Sequence, residues 1–319
     1  MSALKRIGLA AVVAGGAAAV IVGRVRRGNA ARTQRRTGMS AGGMEYVMAG
    51  DGPRTVLIMP GGPGSELPTG PLGLMMTWDW KHYLAAGYRV CFVTRPRNMP
   101  AGHSIADMAE DHARFIREEL GGRVDLVVGK SYGGLIAFYL AANHPEVARF
   151  VVAAGAAATV REAGKEMDRR WAHLRAEGRH TEAAGVILEV IMPGPGLSRL
   201  RPLVAGLMGA MTARLKIPAG DLVVEAEAEC TFEASDLLEH AKRAQVPMLM
   251  AFGDKDEYFP LESLEETAAV IPDCTVVKYH GAGHMSSIMS DNFPQDVLAW
   301  VSQRDAAMDD AAPQPTAVA

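Results

Sequence analysis

Three kinds of side chain able to act together recur in this chain, each in a setting that suits its chemistry. Ser131 lies in Gly129-Lys130-Ser131-Tyr132-Gly133, between the β-forming run 124–128 and the apolar, helix-forming run 135–140. A strand, a sharp turn and a helix in that order form a nucleophile elbow, which holds a serine in a strained backbone conformation and exposes its oxygen. The residues two before and two after the serine must lack a bulky Cβ, and Gly129 and Gly133 fill those places. Carboxylates follow in the loop 253–260, directly after the apolar run 246–252. Histidines, His280 and His284, lie in or beside a glycine-lined loop after the run 275–279. A serine hydroxyl is a poor nucleophile until a base removes its proton, and an imidazole does this best when a carboxylate orients it. The chemistry these residues suggest is acyl transfer.

The elements that must position them alternate. Strand-like runs at 44–48, 55–59, 88–94, 124–128 and 150–154 are separated by helical stretches at 78–86, 105–120 and from the elbow to 144. The rhythm stops over 161–243, which is helical in character. It resumes with strands at 246–252 and 275–279 and helices at 261–271 and 295–301. The pattern predicts an α/β fold, a mostly parallel sheet with helices on both faces, whose ligands sit at the carboxyl ends of the strands. It divides the chain into a core over 44–160 and 244–303, an inserted helical cap over 161–243, and a disordered tail over 304–319.

Four motifs together, PGGPGS (60–65), GKSYGG (129–134), GDKDEYFP (253–260) and GAGHMS (281–286), resemble those of the α/β-hydrolase superfamily, in its lidded Ser-His-Asp branch. The resemblance runs from about Met44 to Gln303 and implies an α/β-hydrolase sheet with Ser131 as nucleophile and His284 as base. The family's Gly-x-x-Asp-x-x-x-Pro pattern implies Asp256 as the orienting acid, which leaves Asp254 as a loop-structuring neighbour and His280 as structural. The two main-chain donors for the oxyanion would be Tyr132, after the nucleophile, and Gly62 in the glycine-rich loop. That loop is similar to the one in proline iminopeptidases, but Pro60 stands where relatives carry a histidine. A second departure follows the 88–94 strand: Thr94-Arg95-Pro96-Arg97 replaces the usual start of an Asp-x-x-Gly-x-Gly-x-Ser run. The activity expected is hydrolysis of an apolar or lipid-like ester through an acyl-enzyme, as in carboxylesterases and lipases. The alternatives are a proline-iminopeptidase-like aminopeptidase and a non-catalytic ligand-binding protein.

Specificity would come from the cap. Trp78 beside the oxyanion loop, Met208 on the cap and Met285 next to His284 are the pocket candidates, with packing as the competing reading for each. The acidic run Glu225, Glu227 and Glu229 could receive an amine, although a solvated face suits such a run better. No cofactor or metal is expected, because neither the histidines nor Cys91, Cys230 and Cys274 have ligand spacing.

Charge is uneven along the chain. Eight of the 33 basic residues lie in the first 44 positions with no acid among them, leaving 25 against 36 acids in the rest. A body that acidic excludes nucleic acid as the expected partner. The segment 1–37 also holds a 17-residue uncharged run, 7–23, bracketed by Lys5-Arg6 and by Arg24, Arg26 and Arg27. As a helix it would span about 26 Å, near the thickness of a bilayer core. The expectation is a single-pass membrane anchor, with the catalytic domain cytoplasmic by the positive-inside rule. The alternative is a soluble cytoplasmic protein.

Overall fold

The computed structural model describes residues 35–68, 73, 76–191, 198–214 and 216–311. The run 7–23, Met75, Met192 and residues 312–319 lie outside them, and with them the expected anchor. Among the described residues no helix is long and apolar enough to cross a membrane.

Eight strands form one sheet in the order β1-β2-β4-β3-β5-β6-β7-β8. They are β1 (Arg35–Met39), β2 (Met44–Ala49), β3 (Arg54–Met59), β4 (Tyr88–Pro96), β5 (Val124–Lys130), β6 (Ala148–Ala154), β7 (Met248–Gly253) and β8 (Cys274–Tyr279). β2 runs antiparallel to both β1 and β4, and every other pairing is parallel. Side chains alternate across a strand, and β3 shows the result: Val56 and Ile58 enter one apolar layer while Leu57 and Met59 enter the other.

One face is covered by α1 (Trp80–Ala85) and α11 (Phe293–Ala311), through Trp80, Tyr83, Phe293, Val297 and Trp300. The opposite face carries α2 (Ile105–Glu119), α3 (Tyr132–Asn143), α8 (Ala234–Lys242) and α9 (Leu261–Val270). Between β6 and β7 the chain adds α4 (Glu162–Ala176), α5 (His180–Ile191), α6 (Arg201–Thr212) and α7 (Ala219–Thr231) before α8. These four form their own small apolar clusters, for example Ala172 with Leu222 and Ala226. A short helix, α10 (His284–Ile288), follows β8.

Three boundaries differ from the sequence reading. Residues 35–37, assigned to the basic segment, and 38–39 of the linker form β1. An edge strand exposes both faces and has no apolar alternation to betray it, and Arg35 and Arg36 are the charges that suit an edge. Gly38 suits the position, because a Cβ would lie 2.4 Å from the Tyr46 ring and the ring would have to move aside. The inserted stretch 161–243 is not all cap either, since Leu237 and Ala241 of α8 join the core layer on α3. The tail expected to be disordered from 304 continues α11 to Ala311. Asp305 holds it by ion pairs to Arg54 at 3.4 Å and Arg149 at 2.8 Å, contacts that composition does not reveal.

The elbow is built by backbone packing. A Cβ on Gly129 would sit 2.2 Å from the Gly133 carbonyl oxygen, and one on Gly133 would sit 2.3 Å from that of Met59. Because the obstructing atoms are main chain, no rotamer change relieves either clash. Gly129→Ala and Gly133→Ala are each expected to destabilise the fold by about 3 kcal/mol or more. Gly220→Ala, in the first turn of α7 with open space around its Cα, is the control and should melt like the wild type. Equal melting of all three by urea would contradict the account.

Candidate active site

β5 ends on Lys130 and α3 starts on Tyr132, so Ser131 carries the whole reversal at φ 51° and ψ −116°. Asn98 and Ser131 are the non-glycine residues with positive φ among those described. The Ser131 N–H donates to the Ala154 carbonyl at 2.7 Å, which fixes the turn against β6. The loop after β3 crosses just above it: a Cβ on Gly61 would meet the Ser131 Cβ at 2.9 Å.

The loops after β7 and β8 supply the other two groups. His284 Nε2 lies 2.9 Å from Ser131 Oγ, and its Nδ1 lies 2.9 Å from Asp256 Oδ2. The second Asp256 oxygen accepts the main-chain N–H groups of Tyr258 and Phe259, each at 2.9 Å, so the carboxylate is held from both sides. The Tyr258 and Phe259 rings stand 4.9 and 5.7 Å from the imidazole, and the His284 side chain is 4% exposed. Asp254 lies apart from this line. It accepts the Gly281 N–H at 2.7 Å and pairs with exposed His280 at 3.1 Å, tying one loop to the other. Its carboxyl is held below the usual range, first by the Gly281 hydrogen bond and then by His280.

Around the expected oxyanion site, Gly62 has φ 65°, and nothing lies within 4 Å of where its Cβ would be. Tyr132 is the first residue of α3, whose leading N–H groups have no acceptor within the helix. The loop 60–65 is gripped from below by Arg95. Its guanidinium donates to the Pro60 carbonyl at 3.0 Å and the Gly62 carbonyl at 2.5 Å, and pairs with Glu225 of α7 at 2.7 Å. Lys130, given no role by the sequence, forms a buried ion pair with Asp79 at 2.6 Å and so ties the elbow to the start of α1.

One expectation about the cap changes. Glu225 and Glu229 are 0% and 2% exposed, so they are not a solvated run. With Asp221, at 1%, they occupy successive positions four apart and form one buried acidic stripe along α7. Each acid has an answering group: Asp221 accepts Asn98 N–H and Met99 N–H at 3.0 and 2.8 Å, Glu225 takes Arg95 and the Gly64 N–H, and Glu229 meets Asp168 of α4. Met208 packs inside the cap against Ala184, Leu188 and Ala205. Met285 is 48% exposed, and Trp78 is half-buried beside Lys130. The sequence missed Arg95, Asp168 and Lys130 as site neighbours. The one signal for any of them was the Arg95 departure from the family pattern.

Among the described residues no three His, Cys, Asp or Glu side chains gather to hold a metal ion. A cleft lined by Arg54, Tyr88 and Asp305 sits at the amino ends of β3 and β4, away from Ser131.

Residues 54–291 match the family model described as alpha/beta hydrolase fold. A hydrolase from Pseudomonas aeruginosa PA01 is similar at 21% identity and a TM-score of 0.63, covering 84% of this chain and 98% of that one. A thermophilic esterase from Thermogutta terrifontis is 22% identical with a TM-score of 0.59, over 85% of this chain and 98% of its own. A membrane phospholipase A is 19% identical with a TM-score of 0.59, covering 93% of this chain and 97% of the other.

The Asp168–Glu229 contact makes a pH prediction. Burial pushes the Asp168 carboxyl up to about 6, and burial followed by the charge of Asp168 pushes Glu229 far above the carboxylate range. A raised folded-state pKa means the folded protein holds protons that the unfolded chain has released. Asp168 therefore costs stability as pH rises from about 4 through 6, Glu229 goes on costing it above that, and neither adds to the slope below about pH 4. Asp168→Asn should narrow the stability gap between pH 5 and pH 8 by about 1 kcal/mol or more, measured by urea unfolding at both values. An unchanged gap would show that the two carboxyls do not share a proton.

Proposed function

The chain belongs to the α/β-hydrolase fold family, and from that premise we propose that it is a serine hydrolase that cleaves a carboxylic ester through an acyl-enzyme. The observation that carries the reading is the continuous line Ser131–His284–Asp256, with 2.9 Å at each step, at the carboxyl edge of a parallel sheet.

In this mechanism His284 Nε2 takes the Ser131 proton as Oγ attacks the ester carbonyl. Asp256 holds the imidazole with Nε2 toward the serine and stabilises the imidazolium that forms. Charge developing on the carbonyl oxygen is received by the N–H groups of Gly62 and Tyr132, a contribution of about 3–4 kcal/mol for one such donor. His284 then returns the proton to the departing alcohol, leaving the acyl group on Ser131. Water activated by the same imidazole releases the acid. An apolar acyl group suits the site, because the apolar side chains of α4 and α7, Trp171 and Leu222, pack onto Gly64 of the oxyanion loop. Ester hydrolysis is also the activity for which the similar esterase and phospholipase A are named.

A second reading has its own observation. The buried pair Asp168–Glu229 lies close enough to His284 for the imidazole's charge to act on Asp168, and Glu229 Oε2 has no partner among the described residues. A substrate ammonium would find a counter-charge there, which favours an aminopeptidase similar to the proline iminopeptidases. The run 7–23 keeps its reading as a membrane anchor with the catalytic domain cytoplasmic. Full-length chain should then leave the membrane fraction with detergent and resist alkaline carbonate, whereas release by carbonate would count against an embedded span.

Turnover of p-nitrophenyl esters of graded acyl length, set beside prolyl and other aminoacyl arylamides, tests the assignment. Esters should be cleaved, and Ser131→Ala should lower kcat about 10³-fold or more and abolish fluorophosphonate labelling. Cleavage of the amides alone would put the aminopeptidase first. Absence of any Ser131-dependent adduct would leave a binding protein.

A further inference from the structure

Arg95 and Glu225 form a buried ion pair, with side chains 1% and 0% exposed, that no step of the proposed reaction uses. Removing two charges from water costs several kcal/mol, which only close pairing and further hydrogen bonds offset. The placement of this pair shows what it holds. Arg95 comes from the end of β4 and Glu225 from the cap helix α7, and the pair meets directly under the loop 60–65.

Six further contacts converge on it. The same guanidinium takes the carbonyls of Pro60 and Gly62, at 3.0 and 2.5 Å. These two carbonyls flank the Gly61–Gly62 peptide, the unit that carries the Gly62 N–H, so that unit is pinned on both sides. Pro63 has no N–H, and the next donor along, Gly64 N–H, is taken by Glu225 Oε2. The other half of the hole is held as well. The Arg95 guanidinium lies 4.5 Å over the Tyr132 ring, and the Tyr132 hydroxyl donates to the Glu225 main-chain carbonyl at 2.8 Å. Arg95 N–H also donates to Ser65 Oγ at 2.9 Å, closing the loop's far end.

We propose that the Arg95–Glu225 pair is the positioning device of the oxyanion hole, and that through Glu225 the hole is complete only while α7 is seated. The proposal rests on the serine-hydrolase reading of the site. Its electrostatics are specific. A lone buried carboxylate at Glu225 would oppose the negative charge that builds on the substrate oxygen, and Arg95 cancels that field while fixing the loop. A core strand thus supplies the cation and the cap supplies the anion. Lifting α7 removes the Gly64 contact, the Tyr132 hydroxyl's acceptor and the charge that orients Arg95 in one movement. Asp221, one turn earlier on α7, binds the N–H groups of Asn98 and Met99 just beyond Arg95, so the seat is polar along its length.

The test uses full-length protein and three variants: Glu225→Gln, Arg95→Met, and the double variant Arg95→Met with Glu225→Leu. For the esters that the wild type cleaves, Glu225→Gln should lower kcat about 10- to 100-fold, part of the loss known for a missing oxyanion donor, with KM changed less than about threefold. Arg95→Met alone should fall further, because it leaves the Glu225 charge unanswered. The apolar double variant should still unfold cooperatively, because no buried charge is left unanswered, at a urea midpoint lowered by the Pro60 and Gly62 carbonyls and the Gly64 N–H that lose their partners. It should nevertheless keep the lowered kcat, which a purely structural role would not predict. Full activity in the folded double variant would overturn the proposal.

Hydrogen exchange of the 60–65 amides gives a readout that needs no turnover. Faster exchange at Gly62 and Gly64 in Glu225→Gln and in the double variant is expected, and unchanged protection would overturn the proposal on its own. If wild-type protein shows no Ser131-dependent labelling, the hydrolase reading fails, and the exchange result alone judges what holds the loop.

Discussion

The site depends on three stretches of main chain that meet with no side chain between them. Gly129 closes on Gly133, and Gly133 closes on the carbonyl of Met59, each at a distance that no Cβ could share. Those contacts join the end of β5 to the start of α3 and to the exit of β3. They force Ser131 into its left-handed conformation, and they bring the loop 60–65 to within contact of the serine Cβ. A position strained by about 1–3 kcal/mol persists only where its surroundings over-determine it. Here the sheet hydrogen bonds of β5 on both sides, the Ala154 contact and the buried face of α3 do so. Everything later in the chain arrives at a serine already fixed.

How much of this could be read in advance follows from the range of each interaction. The elbow was legible because its determinants, a β-run, two glycines and an apolar helix, lie within about twenty residues of one another. Asp256 and His284 were legible for a different reason: the resemblance of their loops to α/β-hydrolase motifs singled them out from Asp254 and His280, and the structure brings both to Ser131. Arg95 and Glu225 were not, because 130 positions separate them and the Arg95 departure from the family pattern does not point to its partner. The acidic stripe of α7 was read with the wrong sign of exposure. Helices usually bury an apolar face, whereas this one buries Asp221, Glu225 and Glu229 against main-chain N–H groups, an arginine and a second carboxyl. β1 escaped notice for the mirror reason, since an edge strand that faces water on both sides leaves no periodic trace.

Core and cap are therefore joined in two different ways. Within the core, layers meet through apolar side chains on both faces of the sheet. Between core and cap, apolar contacts such as Leu222 on Gly64 are joined over the active site by polar ones: Glu225 with Arg95 and Gly64, Asp221 with the chain after β4, and Asp168 with Tyr258. Apolar contact is indifferent to direction, so a cap held by it alone could slide by an ångström at little cost. Hydrogen-bonded charges tolerate no such drift, because a buried carboxylate that loses its partner costs more than the bond was worth. A cap held this way has one seat.

β1 has a consequence for geometry on a larger scale. It runs in the same direction as β4, since each is antiparallel to β2, so Arg35 lies at the end of the sheet opposite Ser131. The apolar run 7–23 is separated from Arg35 by eleven residues, 24–34, a leash of at most about 40 Å at full extension. The chain thus enters the sheet at the end opposite Ser131.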